Sequence, residues 1–240
     1  NNDYNNLMDY VASIDLSKKY FSFAQKYGCI VIDNSSAFRL NSDYPLVIPE
    51  INPEKISTNK LISNPNCSTI LLNLALWNIY KEYGISRIVV STYQAASGAG
   101  INGINELKEQ HLEYIKNNKV VTKDVFGRQY IDNVFSHNSK INIQNGYNEE
   151  ELKMIYETKK ILNDNKIKIS VTCIRVPVYR AHSESINITL KNKADENIIR
   201  SLLENTVGVK ILDDRINNKF PEPVLASGKH EVLIGRIRKD

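Results

Sequence analysis

The sequence predicts a mixed fold, α/β followed by α+β: a parallel strand–helix–strand unit near the amino end, then blocks of strands and helices. Three observations predict it. The apolar run Cys29-Ile-Val-Ile-Asp33 follows a helix-period segment and is bounded by Gly28 and by Asp-Asn-Ser-Ser, as a strand covered on both faces of a parallel sheet requires. Two later segments, Ile167–Val176 and Ile186–Leu190, alternate apolar and polar residues with period two. Between these runs lie segments of helical period with recognisable starts and stops.

Met8–Ser13 reads as a short first strand. Leu16–Tyr27 reads as a helix with Phe21, Phe23 and Ala24 inward, ended by Gly28. With Cys29–Asp33 this makes a βαβ arrangement. Asp33–Tyr44 is then a polar loop at a strand's carboxyl end, where parallel sheets place their ligands. A short strand is expected at Leu46–Ile48, stopped by Pro49. Ile70–Tyr80 is a helix, with Gly84 as its stop. Ile85–Thr92 is a strand with Ile88, Val89 and Val90 in its core, running into Tyr93–Gly100, a stretch of small residues. Ile104–Asn117 is a helix with Ile104, Leu107, Leu112 and Ile115 apolar, and Val120–Gly146 is irregular. Asn148 followed by Glu151 is a capping-box pattern. It opens a helix with Leu152, Ile155 and Leu162 as its apolar stripe and Glu150 and Lys153 on the other face. Asp195–Asn205 is a further helix, and Gly228–Ile237 holds the last strand.

Composition narrows the function classes. Of 240 residues, 42% are hydrophobic and 24% charged, enough for a sizeable core. The longest apolar stretch, Ile70–Ile79, is interrupted by Asn73 and Asn78 and is too short for a bilayer. A net charge of +4 with scattered lysines does not indicate nucleic-acid binding. Three cysteines lie far apart, without a CxxC pair or a histidine cluster at ligand spacing. The expectation is a reduced, cytoplasmic setting and no metal.

Cys67 is the residue best placed for chemistry. It stands in Ser-Asn-Pro-Asn-Cys-Ser-Thr at the start of a helix, where unpaired N–H groups and the macrodipole favour a thiolate. A small buried cysteine at a helix–strand junction is the plain alternative. Arg175 continues the inward face of an apolar strand. Burial demands an anionic partner, either an internal Asp or Glu or the carboxylate of a substrate. His182 follows in Tyr-Arg-Ala-His-Ser; it is either a structural histidine, as lone histidines commonly are, or the general base that a thiolate needs. His111, His137 and His230 lie in polar contexts without comparable neighbours. Ser97-Gly98-Ala99-Gly100 is a small-residue turn that lets backbone N–H groups approach a phosphate or a nicotinamide, or is simply a turn. Arg39, on the loop after Asp33, either holds an anion or is solvated. Lys153 either does likewise or pairs with Glu150 on the surface.

Together these segments resemble the bacterial type of aspartate-semialdehyde dehydrogenase. The resemblance rests on Val31–Arg39, Pro45–Asn52, Asn64–Thr69, Ser91–Gly100, Gly146–Lys153 and Arg175–His182, in family order across almost the whole chain. It implies a remnant of a Rossmann-type nucleotide-binding domain over residues 1–64, then a mixed-sheet catalytic and dimerisation domain over 65–240. It further implies NADP as cofactor, a cytoplasmic homodimer, and a place in lysine, threonine and methionine biosynthesis.

By the same resemblance Cys67 is the acyl-thioester nucleophile and His182 the acid/base. Arg175 is the substrate-carboxylate clamp, Gln94 orients the substrate, and Glu150 lies on the substrate side. Arg39 and Lys153 bind phosphate with Asn66 beside them, and Ser97 and Gly98 contact the cofactor. Relative to the family pattern the chain resembles an internal fragment: the opening Gly-rich turn and the closing helix have no counterpart, and Ser13-Ile-Asp15 stands where glycine is usual. N-acetyl-glutamyl-phosphate reductase shares the thioester logic but differs around its cysteine, as does glyceraldehyde-phosphate dehydrogenase. A non-catalytic remnant or dimerisation module is the reading from another class.

Overall fold

The structure, a computed structural model of the chain, describes residues 14–56 and 61–240. The strand expected at Met8–Ser13 lies outside the described residues. The chain divides into two compact units. One runs up to Trp77 and includes Lys153–Lys166; the other comprises Asn78–Leu152 and Ile167–Asp240.

In the first unit, α1 (Ile14–Lys26) precedes β1 (Val31–Asp33), and β1 pairs in parallel with β2 (Leu61–Ser63). Gly28, at φ +73°, makes the turn after α1 in a conformation that β-carbons disfavour. The core here is aromatic. Phe21 from α1 meets Phe38 and Tyr44 edge-on at 5.4 and 5.3 Å, and these pack with Leu61. Phe23, expected inward, is 62% exposed because it lies on the opposite face of α1 from Phe21. The run at Cys29–Asp33 was expected to be covered on both faces. Instead Ile30 and Ile32 are 71% and 70% exposed, because the described residues cover only the face that carries Val31 and Asp33. Leu46–Ile48 is buried, but it joins the sheet through a single bridge, Leu46 to Ser63, rather than as a strand. Asn52 takes the place of a partner strand, accepting the Ile48 N–H at 2.9 Å and donating to the Leu46 carbonyl at 3.0 Å.

Two helices contribute to both units. α2 (Cys67–Tyr83) ends at Gly84, whose φ of +64° suits the stop expected there. α4 (Glu149–Leu162) opens with the expected capping box, satisfied in both directions. Asn148 Oδ1 accepts the Glu151 N–H at 2.9 Å, and Glu151 Oε2 accepts the Asn148 N–H at 2.8 Å.

The second unit is built on a four-stranded mixed sheet of β3 (Ile85–Gln94), β4 (Phe135–Ser136), β5 (Lys168–Arg175) and β6 (Ser183–Leu190), in the order β4-β5-β3-β6. β3 runs parallel to β5 and antiparallel to β6. The alternation in β5 holds: Val171, Cys173 and Arg175 are buried on one face. In β3 the buried face carries Ile88, Val90, Thr92 and Gln94, so Val89, expected in the core, lies on the exposed face. α3 (Gly100–Asn117) buries Ile104 and Leu107, whereas Leu112 and Ile115 are 67% and 80% exposed. The irregular segment after α3 is tied to it by buried polar side chains. Glu106 accepts the N–H groups of Val125 and Phe126, and Gln110 those of Tyr130 and Ile131. This replaces a strand ladder for a stretch without regular structure. α5 (Glu196–Glu204) is capped by Asp195, and β7 (Val209–Ile211) pairs in parallel with β8 (Val232–Ile234). A short helix, α6 (Pro223–Ala226), lies between these two strands in sequence.

Candidate functional site

The residues singled out in the sequence fall into two clusters, one in each unit. In the first unit Cys67 is the first residue of α2 and is exposed. Asn66 precedes it as the cap, its Oδ1 accepting the N–H groups of Ser68 at 3.0 Å and Thr69 at 3.3 Å. Two of the N–H groups expected to face the thiol are therefore taken by the cap. Arg39 is buried and paired, not solvated. Its Nη1 donates to Glu157 Oε1 at 3.2 Å and its Nη2 to the Asn34 carbonyl at 2.8 Å. Its Nε is buried and has no hydrogen-bond partner. Lys153 is half-buried on α4.

Glu157 and Lys160 were not singled out in the sequence, and both organise this cluster. The second oxygen of Glu157 accepts the Asn66 N–H at 2.7 Å. The same carboxylate therefore touches the arginine of the polar loop and the residue before the cysteine. Burial pushes the Glu157 carboxyl up, and Arg39 and the Asn66 N–H oppose that shift. Lys160 Nζ donates to the carbonyls of Arg39, Asn41 and Tyr44 at 2.8, 2.6 and 2.9 Å, pinning the loop that carries Arg39. Burial, then the nearby Lys55, pulls the Lys160 ammonium down. A signal for both was present, since Lys153, Glu157 and Lys160 recur at helical spacing on α4 among buried apolar residues.

In the second unit the ends of β3 and β5 and the start of β6 gather Gln94, Arg175 and His182. Gln94 and Arg175 are register partners, and both are buried. Gln94 Nε2 donates to Glu150 Oε1 at 3.3 Å. The Arg175 guanidinium donates to the Ala95 carbonyl at 3.1 Å and to His137 Nε2 at 2.8 Å, and its Nε faces Asn138 Oδ1 at 3.4 Å. It also lies 5.6 Å from the centre of the Phe126 ring.

His182 Nδ1 accepts the Ala95 N–H at 3.0 Å. A neutral imidazole in that bond carries its proton on Nε2. Burial, then the charge of Arg175, pushes its pKa down to about 4, against an opposing pull from Glu150. His182 is therefore a neutral hydrogen-bond donor through Nε2. The three cysteines separate cleanly: Cys67 and Cys29 are exposed, while burial pushes buried Cys173 up to about 12, far from thiolate chemistry.

The turn expected at a cofactor is a short 3₁₀ helix, Ala96–Ala99. Three of its backbone donors are spent: Ala96 N–H goes to Val178, Ser97 N–H to Tyr179 and Gly98 N–H to Ala95. Gly98 has a different use. A Cβ there would stand 2.8 Å from Arg175 Nη1 and 3.1 Å from His182 Nε2, so the absent side chain lets both groups pack against the turn. Gly98 itself is exposed. Among the described residues, no group of three His, Cys, Asp or Glu side chains is arranged to hold a metal ion, and no helix is long and apolar enough to cross a membrane.

Comparison with known proteins follows this division. A family model for the semialdehyde dehydrogenase dimerisation domain matches residues 76–240, and one for the semialdehyde dehydrogenase NAD binding domain matches residues 11–59. The aspartate-semialdehyde dehydrogenase of Aquifex aeolicus is 44% identical over 227 residues, which cover 93% of this chain and 66% of that protein. That of Prochlorococcus marinus is 45% identical over 226 residues, 94% of this chain and 65% of that protein. The chain thus spans about two thirds of the length of these relatives. Among solved structures, aspartate semialdehyde dehydrogenase II from Vibrio cholerae, complexed with ASA, superposes with a TM-score of 0.89 at 40% identity, covering 94% of this chain and 67% of that one.

Proposed function

The chain belongs to the aspartate-semialdehyde dehydrogenase family, and on that premise we propose that it converts aspartyl 4-phosphate to aspartate 4-semialdehyde through a thioester on Cys67. The observation that carries this reading is the buried cluster of Gln94, Arg175 and His182. It sets a buried guanidinium beside a neutral imidazole with its proton on Nε2, which suits an acyl substrate bearing a carboxylate.

The roles follow from the side chains. The Cys67 thiolate forms a bond to the acyl carbon of aspartyl phosphate. The acyl C–O bond breaks, and inorganic phosphate leaves with the electron pair, received by Arg39 and Lys153 with Asn66 beside them. Arg175 holds the substrate carboxylate, Gln94 orients the acyl group, and Glu150 stands on the substrate side. NADP, when bound, supplies hydride chemistry for reduction of the thioester. His182 donates its Nε2–H to the acyl oxygen as negative charge builds there. Its acid/base role requires exchange of the Nδ1 bond to Ala95. Collapse of the hemithioacetal breaks its C–S bond, returns the Cys67 thiolate, passes the hydroxyl proton to His182 and releases the aldehyde. Ser97 and Gly98 are the cofactor-side turn, and Gly98 also makes room for Arg175 and His182.

The resemblance also supports NADP over NAD, a cytoplasmic homodimer, and a division into a nucleotide-binding part over residues 1–64 and a catalytic and dimerisation part over 65–240. Acylation tests the reading without any cofactor. Incubation with aspartyl 4-phosphate is expected to release phosphate and leave one aspartyl group on the peptide containing Cys67, read by mass spectrometry, with none on Cys67→Ala. Equal labelling of Cys67→Ala would defeat the thioester. Labelling by N-acetyl-glutamyl phosphate, but not by aspartyl phosphate, would transfer the reading to the related reductase.

A further inference from the structure

Arg39 stands in a stretch, residues 34–45, that is neither strand nor helix. Main-chain bonds within it run from the Asn41 N–H to the Phe38 carbonyl at 3.0 Å and from the Tyr44 N–H to the Asn41 carbonyl at 3.4 Å. Carbonyl groups in such a stretch have no ladder to supply donors. Those of Arg39, Asn41 and Tyr44 converge instead on one ammonium, and Lys160 Nζ donates to them at 2.8, 2.6 and 2.9 Å. An ammonium has three N–H donors and no acceptor, so these bonds use every donor that Lys160 has. It is a clamp on the main chain and has no N–H left for an anion. Glu157 lies one turn earlier on the same face of α4 and takes the other end of the same arginine, Oε1 to Nη1 at 3.2 Å. One helix face therefore holds Arg39 twice, by its backbone through Lys160 and by its guanidinium through Glu157.

We propose that Lys160 is a positioning residue for the phosphate site: its ammonium fixes the main chain around Arg39 and so sets where the guanidinium meets phosphate, without touching the anion itself. The proposal rests on the reading of Arg39 as a phosphate-binding residue. Its physical content is preorganisation. A loop already held by three charge-assisted bonds is not ordered at the expense of binding, whereas a loose one must be. The two lysines of this helix face then differ in kind. Lys153 is the one read as meeting phosphate, and Lys160 acts only through Arg39.

Inorganic phosphate titrated into the purified protein in a calorimeter tests this without cofactor or turnover. Lys160→Met is expected to raise the Kd for phosphate about tenfold, the scale of one hydrogen bond to a charged group. Arg39→Met with Lys160→Met should bind phosphate no more weakly than Arg39→Met alone, because the loop then has no guanidinium to present. A residue that touched the anion, or that merely kept the protein folded, would add its loss to that of Arg39→Met. An unchanged Kd in Lys160→Met, or a further loss in the double variant, would overturn the proposal. A second measurement uses the wild type alone. Acetic anhydride should acetylate the exposed Lys18 and Lys19 well before Lys160, whose nitrogen is protonated and bonded three ways. Equal rates, read by peptide mass spectrometry, would remove the clamp. A wild-type protein that binds no phosphate would instead remove the anion reading of Arg39, and the proposal with it.

Discussion

Replacing Glu157 by Gln removes one charge from a pair that water does not reach. The Arg39 and Glu157 side chains are 10% and 1% exposed, with Nη1 and Oε1 3.2 Å apart. At an effective dielectric of about 20, that separation corresponds to an attraction of about 5 kcal/mol. Desolvation offsets part of it, so the intact pair contributes much less than this figure. Removing one partner is different, because it leaves the guanidinium buried without its counter-ion. The expected loss in Glu157→Gln is about 3–5 kcal/mol. The Gln carbonyl can keep the Asn66 N–H bond, but its amide then faces Arg39 donor to donor. A double-mutant cycle in urea at neutral pH measures the coupling. Arg39→Met with Glu157→Leu should lose at least about 2 kcal/mol less than the two single losses added together, because an apolar pair leaves no orphan charge. Single losses that add within about 0.5 kcal/mol would show that the two residues are independent, and the account of this cluster would fail.

Two other perturbations test the second unit. Glu184 sits opposite Thr92 in the sheet, and neither of its buried carboxyl oxygens has a hydrogen-bond partner. Burial raises its pKa well above the usual carboxylate range. A raised folded pKa means that the stability from Glu184 is complete below the unfolded carboxyl's pKa and is lost as pH climbs through the folded one. Urea midpoints of wild type relative to Glu184→Gln should therefore fall as pH rises above about 5; a rising difference would refute this sign. Gly98→Ala places a Cβ 2.8 Å from Arg175 Nη1 and 3.1 Å from His182 Nε2. It should destabilise by about 1–3 kcal/mol and raise the substrate KM, both read from thermal melts and steady-state kinetics. An unchanged KM would mean that Gly98 does not set the place of these groups.

Features carried within one turn or one strand were legible before any fold was known. The capping box of Asn148 and Glu151, the stop at Gly84, the alternation through Cys173 to Arg175 and the place of Cys67 at a helix start all depend on neighbours a few residues away. Such signals survive without knowledge of the fold, because spacing and local hydrogen bonds create them. The resemblance was legible for the same reason, in short contiguous motifs. Burial was less legible. Phe23, Val89, Leu112 and Ile115 are apolar and exposed, because an apolar residue marks a buried face only when another element covers it.

The partners of the charged groups emerged with the fold. Glu157 is 118 residues from Arg39 and 91 from Asn66, and His137 is 38 from Arg175. No spacing rule joins residues so far apart. Buried polar groups must find partners wherever the fold brings them, and here those partners were a helical glutamate and a loop histidine. The same physics assigned the proton of His182, a donor through Nε2 because the Ala95 N–H occupies Nδ1.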